Sequence, residues 1–425
     1  MKRRAYRKRV IDERVNSYLS TFGAVCIEGP KWCGKTWTAQ RHSNSWISLG
    51  DPAGGFQNKR LAETSPDVVL QGEQPRLIDE WQEVPPLWDA VRYAVDADGS
   101  KGQFILTGSA TPQRKGILHS GAGRFGRLRM RPMSLYEAGE SSGVVSLQQV
   151  CENKIEARLT GEVKLSQVVE WVVRGGWPGS LGLSLKQAAD IPAEYIRNAI
   201  ESDIYRMDDV MRDAHKMKLL LHSLARHEST TATIRKLVQD TKDVDDEDID
   251  RETVSKYLNI FERLFLVEDQ PPFASNIRSS IRVKQAAKRH LADPSLAVAL
   301  LRATPESLMS DLNTLGFLFE ALCERDLRIY AESFGARLFH YQDYNNREAD
   351  AVVEMPDGRW CAFEIKLGAQ QIDKAAESLI SLRRSIASQP GANPPAVLGV
   401  ICGLANAAYQ RPDGVFVIPI SALKP

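Results

Sequence analysis

The chain has 425 residues, with hydrophobic and charged fractions of 43% and 26% that are ordinary for a globular protein. The net charge of +1 excludes a global electrostatic attraction for nucleic acid, so any such binding must use local patches. No apolar stretch approaches the roughly 20 residues of a membrane span, and the six cysteines are scattered without a C-x-x-C pair. We therefore expect a cytoplasmic protein with reduced thiols and no membrane partner. The basic start, MKRRAYRKR, is typical of a solvated tail or, alternatively, of a nucleic-acid arm.

The first motif along the chain is GPKWCGKT at residues 29–36, which fits the phosphate-binding P-loop pattern G-x-x-x-x-G-K-[ST]. An apolar run at 23–28 predicts a buried strand before it, and residues 37–41 can open a helix after it. Lys35 would contact the β- and γ-phosphates of ATP, and Thr36 would place its hydroxyl on Mg²⁺. A glycine turn between a strand and a helix is the alternative. The predicted nucleotide-binding residues of the loop are Gly29, Pro30, Lys31, Trp32, Cys33, Gly34, Lys35 and Thr36.

A second strand with acidic residues at its end follows at 75–82, PRLIDEWQ. In a doubly wound sheet the carboxyl ends of the strands face the phosphates. Asp79 would hold Mg²⁺, directly or through water, and Glu80 would polarise the attacking water as general base. The next strand, at 103–109, ends in Thr107 and Ser109, which would lie beside the γ-phosphate. A chance Asp-Glu pair and a simple turn at a strand end are the alternatives.

Residues 121–131, GAGRFGRLRMR, place four arginines within eight residues. Such a loop could supply a positive charge to the γ-phosphate of a neighbouring subunit, with Arg124 and Arg127 as the candidates. A solvated basic strand explains the pattern equally well.

The middle of the chain has helical spacing of apolar residues over 150–210, which fits a small lid over the nucleotide. Helices at 216–227, 233–238 and 251–263, followed by a strand and wing at 264–273, predict a winged helix-turn-helix. Its third helix would offer polar side chains to a DNA major groove. Against DNA binding, the segment 240–250 has seven acids among eleven residues, which repel phosphate. The groove-facing candidates are Thr253, Ser255, Lys256 and Asn259.

The C-terminal part contains a second candidate site. Strands at 348–354 and 360–367 flank a turn near residue 357, which places Asp350 opposite Glu364 and sets Lys366 on the face of Glu364. Glu320, from a helix at 314–328, could join them. Asp350 and Glu364 could hold a second Mg²⁺ or Mn²⁺, with Lys366 orienting a water for phosphodiester hydrolysis. An ordinary cross-strand salt bridge is the alternative.

The segments GPKWCGKT, LIDEWQ, FILTGSA, GRFGRLRMRPMSLYE and RGGWPGSL together resemble the predicted AAA-superfamily ATPases of bacteria and archaea. These proteins carry a C-terminal domain of unknown function that is related to PD-(D/E)XK nucleases. The resemblance covers about residues 10–425, and PMSLYE and RGGWP are its family-specific parts. It implies ATP hydrolysis and a ring or helical homo-oligomer, foremost a hexamer, with arginine fingers in trans. It also implies a nuclease signature at Asp350, Glu364 and Lys366.

We therefore predict an α/β protein whose core is a P-loop (AAA-type) doubly wound parallel sheet. The predicted parts are an ATPase core (1–149), a helical lid (150–210), a winged helix-turn-helix (211–275), a linker (276–304) and an α/β nuclease-like domain (305–425). The predicted function is Mg²⁺-dependent ATP hydrolysis coupled to DNA binding or processing. The alternative is a nucleotide-gated, oligomerising interaction protein whose nuclease-like domain is not catalytic.

Overall fold

A computed structural model describes residues 6–111, 117–204, 213–244, 249–274, 286–343, 345, 347–388 and 391–425. The chain divides into two compact units. The first consists of the described parts of 1–132, 201–212 and 259–266, and the second of the described parts of 133–200, 213–258 and 267–425.

The first unit is built on a sheet of five parallel strands in the order β2-β3-β4-β1-β5. They are β1 (Ala24–Glu28), β2 (Ser45–Ser48), β3 (Arg76–Asp79), β4 (Phe104–Gly108) and β5 (Phe125–Arg129). The three central strands are buried along their whole length, as expected for parallel strands with both faces covered. The helices are α1 (Asp12–Thr21), α2 (Lys35–Arg41), α3 (Ala53–Thr64), α4 (Pro66–Leu70) and α5 (Leu87–Asp98).

The register of this sheet brings the strand ends of interest together. β4 lies between β1 and β3, so Thr107 pairs with Asp79 on one side and with Ile27 on the other. One apolar cluster on the sheet includes Trp81, Trp88 and Phe125, and a second includes Ile27 and Leu77. The P-loop and the end of β3 are thereby held at one edge of a rigid sheet.

The second unit contains a seven-stranded mixed sheet in the order β10-β11-β12-β13-β15-β14-β7. Strands β10 to β12 are antiparallel, and β13 and β15 continue the sheet in parallel with β12. Its strands, with two short pairs outside the main sheet, are β6 (Val145–Ser146), β7 (Arg158–Leu159), β8 (Val267–Gln270), β9 (Lys288–Leu291), β10 (Arg337–Gln342), β11 (Glu348–Glu354), β12 (Trp360–Lys366), β13 (Val397–Cys402), β14 (Ala407–Gln410), β15 (Phe416–Pro419) and β16 (Leu423–Lys424).

The helices of the second unit pack around this sheet and around one another. They are α6 (Leu135–Ala138), α7 (Leu147–Cys151), α8 (Leu165–Arg174), α9 (Leu185–Asn198), α10 (Ala214–Arg226), α11 (Ile234–Val244), α12 (Arg251–Arg263), α13 (Pro294–Leu301), α14 (Pro305–Ser310), α15 (Leu312–Ser333) and α16 (Ile372–Ala387). The last residues of α12 belong to the first unit.

Helices α10, α11 and α12 and strand β8 lie within the range predicted for the winged helix-turn-helix, but β9, the strand that pairs with β8, lies at 288–291 in the predicted linker. The winged element remains a prediction. One detail of that prediction is wrong. Asp240 lies in α11 and is buried, because His227 and Lys236 contact its carboxylate at 2.7 and 2.9 Å and neutralise it. It therefore contributes no exposed negative charge to the acidic segment.

The boundaries of the five predicted domains remain predictions. Residues 205–210 of the predicted lid, 245–248 of the acidic segment and 276–285 of the predicted linker lie outside the described residues. All six cysteines are described, and each is a buried free thiol. In the described part of the chain, no helix combines the length and apolar character needed to cross a membrane.

Candidate functional sites

The P-loop connects β1 to α2, and only glycine can occupy its first position. Gly29 has φ of 156°, and a Cβ there would lie 2.0 Å from the carbonyl oxygen of Met130. Gly34, with φ of 105°, turns the chain into α2. Within the loop, the Cys33 side chain is buried, whereas Trp32 has a left-handed φ of 63° and a side chain that is 60% exposed. The loop therefore follows a tightly constrained path between strand and helix.

A network of hydroxyl groups converges on Asp79 at the end of β3. Its Oδ1 accepts hydrogen bonds from Thr36 Oγ1 at 2.8 Å and from Thr107 Oγ1 at 2.6 Å. Its Oδ2 accepts from Ser48 Oγ at 3.3 Å. The strand order explains this meeting, because β2, β3 and β4 are neighbours and all end at the same edge. One carboxylate beside a threonine hydroxyl is a donor set that fits Mg²⁺ when substrate phosphates complete the coordination.

Glu80 occupies a strained backbone position directly after this carboxylate. Its φ and ψ are 60° and 45°, a left-handed conformation that is unfavourable for a residue with a side chain. The backbone N–H donates to Thr107 Oγ1 at 3.2 Å. Oε2 accepts from Ser109 Oγ at 3.0 Å and also from the amide of Gln82. The side chain is thus held in one orientation by Ser109, directly after β4, and by Gln82 on its own turn.

The two lysines of the P-loop have different partners. Lys35 is buried, and its Nζ donates to the carbonyl oxygen of Pro30 in the same loop at 2.7 Å. Lys31 is more exposed and forms a 2.5 Å ion pair with Asp203. Lys35 therefore points its charge into the loop, while that of Lys31 is neutralised by a carboxylate.

Both candidate finger arginines lie in or directly before β5, the edge strand that pairs with β1. Arg124 precedes β5 and pairs with Asp96 at 2.7 Å. Arg127 lies within β5, packs over the Trp88 ring at 4.6 Å and approaches Glu28 Oε1 at 3.7 Å. Burial raises the pKa of the Glu28 carboxyl, and Arg127 opposes this rise. The two guanidinium side chains are about half exposed, at 47% and 50%.

The C-terminal residues predicted to converge do so. The β11–β12 register ends with the pair Ala351 and Phe363, and Asp350 and Glu364 are the next residues of the two strands. Lys366 Nζ lies 3.1 Å from Asp350 Oδ2 and 2.5 Å from Glu364 Oε2. The Ile365 backbone N–H also donates to Asp350 Oδ2 at 2.8 Å.

A second lysine completes this group. Lys288, from β9, lies 2.7 Å from Glu320 Oε1 and 3.5 Å from Asp350 Oδ1. We call the five side chains of Lys288, Glu320, Asp350, Glu364 and Lys366 the C-terminal cluster. It contains three carboxyl groups and two ammonium groups.

The charges of the C-terminal cluster perturb one another strongly. Burial, together with the charge of Asp350, raises the pKa of Glu364 to about 8 and that of Glu320 to about 7. Burial alone would raise the pKa of Asp350, but Lys288 and Lys366 lower it. The carboxylates in turn raise the pKa of both lysines against the opposing effect of burial. Asp350 is therefore the cluster's stable anion, and both lysines remain cations.

The C-terminal cluster as arranged does not fit a divalent cation. Oxygens of Glu320, Asp350 and Glu364 that would face a metal ion are in contact with the Lys288 or Lys366 ammonium. Among the described residues, no three His, Cys, Asp or Glu side chains are grouped so that they could hold a metal ion. The metal-ligand role predicted for Asp350 and Glu364 remains untested.

Sequence reasoning missed several of these partners. Ser48 and Asp203 contact predicted site residues, but each is a common polar residue outside any motif. Gln82 ends the PRLIDEWQ segment but had no predicted role. Lys288 lies 62 positions before Asp350, with no pattern to connect the two. Only the position of Gln82, two residues after Glu80, offered a local signal.

Three family models match successive parts of the chain. Residues 21–139 match an AAA domain, which includes the P-loop and the Asp79–Glu80 pair. Residues 165–307 match a domain of unknown function, DUF8612. Residues 315–423 match another, DUF4143, which contains four members of the C-terminal cluster.

The curated relatives include two mycobacterial proteins. The uncharacterized proteins Rv2008c of Mycobacterium tuberculosis and Mb2031c of Mycobacterium bovis are each 24% identical over 358 residues, covering 83% of this chain and 72% of theirs.

Two solved structures resemble the chain weakly. The Walker-type ATPase PABY2304 of Pyrococcus abyssi is 12% identical, covers 68% of this chain and 94% of its own, and gives a TM-score of 0.41. Drosophila ORC bound to DNA is 12% identical, covers 73% and 89%, and gives a TM-score of 0.23. At these TM-scores neither structure supports a conclusion about this protein. What is shown rests on the family models, which match an AAA domain at residues 21–139 and DUF4143 at residues 315–423.

Proposed function

We propose that the first unit hydrolyses ATP with Mg²⁺ at the edge of its parallel sheet. The observation that carries this proposal is the convergence of Thr36 and Thr107 on Asp79, with Glu80 adjacent. Thr36 and Asp79 would hold Mg²⁺, which would supply positive charge to neutralise the phosphates of ATP. The backbone N–H groups of the P-loop would bind the phosphates, with Lys35 adding a positive charge.

Glu80 would take the proton of the attacking water as general base. Ser109 and Gln82 hold one of its carboxylate oxygens, which leaves the other available to a water molecule. Thr107 contacts both Asp79 and the Glu80 backbone, so it would keep the metal ligand and the base in fixed relation. Ser109 would position the water or sense the γ-phosphate through Glu80.

The proposed site would be completed by an arginine from a neighbouring copy in a ring or helical homo-oligomer, foremost a hexamer. Arg124 and Arg127 support this proposal because both are half exposed on the edge strand side of the sheet. Each is already paired with an acid of its own chain, at 2.7 and 3.7 Å. A neighbour's triphosphate, with its higher charge, would compete for the guanidinium.

ATP turnover measured against Mg²⁺ concentration tests the proposal. We expect turnover in the wild type, none after chelation, and a loss of about 100-fold or more in Asp79→Asn, since the amide removes the charge that binds the cation. Asp98→Asn, at an exposed end of α5, is the matched control and should behave as wild type. Metal-independent turnover, or full activity of Asp79→Asn, would refute the assignment. Specific activity that stays constant over a wide range of protein concentration would refute the finger in trans.

We propose further that the ATP cycle is coupled to DNA binding through α12. Beyond Ser109 on the same segment, Thr111 N–H donates to the carbonyl oxygen of Arg263 at 2.9 Å, and Arg263 Nε donates to the carbonyl oxygen of Thr111 at 3.0 Å. Both residues belong to the first unit. A shift of the segment that follows β4, on hydrolysis of ATP, would therefore displace Arg263 in the last turn of α12. Lys256, an exposed residue nearer the start of the same helix, would contact DNA phosphate.

A second candidate concerns the DUF4143 domain: it would bind a partner or DNA without cutting it. The engagement of its carboxylates by Lys288 and Lys366 favours this non-catalytic role over the nuclease role predicted for Asp350, Glu364 and Lys366. The nuclease role requires a metal ion that these contacts oppose.

Labelled single- and double-stranded DNA with Mg²⁺ or Mn²⁺, with and without ATP, tests both ideas. We expect ATP-dependent binding in fluorescence anisotropy, a salt slope reduced by about one in Lys256→Ala, and no cleavage on denaturing gels. Lys366→Ala is the control for cleavage. Absence of binding to every DNA would refute the coupling. Metal-dependent cleavage that Lys366→Ala abolishes would establish the nuclease instead.

A further inference from the structure

Lys288 lies among carboxylates in the way that a bound cation would. Its Nζ is 2.7 Å from Glu320 on α15 and 3.5 Å from Asp350 on β11. The Lys288 and Asp350 side chains are only 9% and 6% exposed. A buried carboxylate without a cationic partner is strongly unfavourable, so these two acids depend on a positive charge at this place.

The positive charge of Lys288 is positioned by the antiparallel strand pair β8–β9. Lys288 lies opposite Gln270 in the antiparallel β8–β9 register. The buried Gln270 amide donates to the carbonyl oxygen of Phe339 at 2.9 Å and to that of Asp350 at 3.0 Å. The residue that pairs with Lys288 is thus bonded to two strands of the sheet, including the strand that carries Asp350. The strand opposite Lys288 is therefore fixed to the sheet by buried hydrogen bonds.

We propose that Lys288 is a built-in counter-ion that takes the place of a divalent cation between Glu320 and Asp350. The native C-terminal cluster therefore holds no divalent ion, and removal of the Lys288 charge alone converts it into a site for a hard divalent cation such as Mn²⁺ or Mg²⁺. This inference concerns the DUF4143 domain and stands whether or not the first unit hydrolyses ATP.

Two physical arguments support the exchange. A divalent ion placed beside the Lys288 ammonium would meet strong repulsion at this distance, and the low exposure of the cluster limits screening by water. Without Lys288, Glu320 Oε1 and Asp350 Oδ1 both lose their ammonium contact, whereas Lys366 keeps its contacts with Asp350 Oδ2 and Glu364 Oε2. The two released carboxyl oxygens are of the kind that Mg²⁺ and Mn²⁺ prefer as ligands.

A purely structural ion pair makes a different prediction. If Lys288 only stabilised the β8–β9 pair, its replacement by an apolar residue would lower stability without creating any affinity for metal. The gain of a metal site is therefore the readout that separates the two roles.

Mn²⁺ binding to the nucleotide-free full chain, measured by electron paramagnetic resonance and calorimetry, tests the proposal. Every protein carries Asp79→Asn, so that the first unit contributes no metal site. We expect Lys288→Met, which keeps an unbranched side chain of similar length, to bind Mn²⁺ at least about 10-fold more tightly than the Asp79→Asn parent. Lys288→Arg keeps the charge and should resemble the parent. Adding Asp350→Asn to Lys288→Met should remove the new site.

Three results would overturn the proposal: no gain of Mn²⁺ affinity in a folded Lys288→Met protein, an equal gain in Lys288→Arg, or a gain that survives Asp350→Asn. The parent provides a check that needs no Lys288 variant. If it binds Mn²⁺ at a site that Asp350→Asn abolishes, Lys288 does not exclude the metal. Circular dichroism confirms that each variant is folded, and Lys288→Gln replaces Lys288→Met if the latter is not.

Discussion

Replacement of Glu80 by glutamine should leave ATP bound but slow its hydrolysis by about 100- to 10,000-fold, the range that one general base contributes. The amide has nearly the size of the carboxylate, but it cannot accept the proton of the attacking water. Its oxygen can still accept from Ser109 Oγ, so the local hydrogen bonding on that side survives. The expected state is therefore a protein that holds ATP and Mg²⁺ without turning them over.

Single-turnover hydrolysis of labelled ATP, with ATP binding measured in parallel, distinguishes this outcome from a general loss of structure. Glu83→Gln is the matched control, because Glu83 lies on the same short 3₁₀ turn but pairs with the partly exposed Lys59 at 3.0 Å. It should retain wild-type turnover. Hydrolysis at the wild-type rate in Glu80→Gln would remove Glu80 from the mechanism, and loss of ATP binding would show that its role is structural.

The parts of the first site that follow from sequence are those with short-range physical constraints. The P-loop spacing requires glycine at backbone positions such as Gly29, where a Cβ would collide with Met130. The Asp79–Glu80 pair follows the apolar residues Leu77 and Ile78 of β3, and in a parallel sheet such strand ends share one edge. The insertion of β4 between β1 and β3, which brings Thr107 against Asp79, depends on strand order, and no local pattern encodes it.

In the C-terminal cluster, too, the sequence predicts the short-range contacts but not the long-range ones. The positions of Asp350, Glu364 and Lys366 follow from hairpin geometry, because a two-residue period about one turn determines which side chains face each other. Lys288 could not be assigned in this way. It reaches Glu320 and Asp350 only through the pairing of β8 with β9 and the anchoring of Gln270, both of which are long-range contacts.

Runs of charged residues in the sequence were the poorest predictors of exposed charge in the structure. Asp240 counted as part of an acidic segment that repels DNA, yet it is buried in α11 beside His227 and Lys236. A run of acids in sequence says nothing about which members find partners in the fold. The same holds for arginines 124 and 127, which form contacts with acids of their own chain.

Replacement of Lys35 by alanine should weaken ATP binding by about 10- to 100-fold, the value of one or two charge-assisted hydrogen bonds. The Lys35 ammonium donates to the Pro30 carbonyl oxygen within the loop. Phosphate oxygens carry more negative charge than a carbonyl, so ATP should draw the ammonium away from that contact. Equilibrium binding of a fluorescent ATP analogue, with and without Mg²⁺, measures the loss.

Lys31→Ala provides the informative comparison, because it removes the same group from the same loop. Lys31 is already paired with Asp203 at 2.5 Å, so its loss should weaken ATP binding less than the loss of Lys35 does. Equal losses in the two variants would mean that the loop attracts ATP by its total charge and not through a specific Lys35 contact. Unchanged binding in Lys35→Ala would contradict the P-loop assignment itself, since ATP would then bind without the loop's lysine.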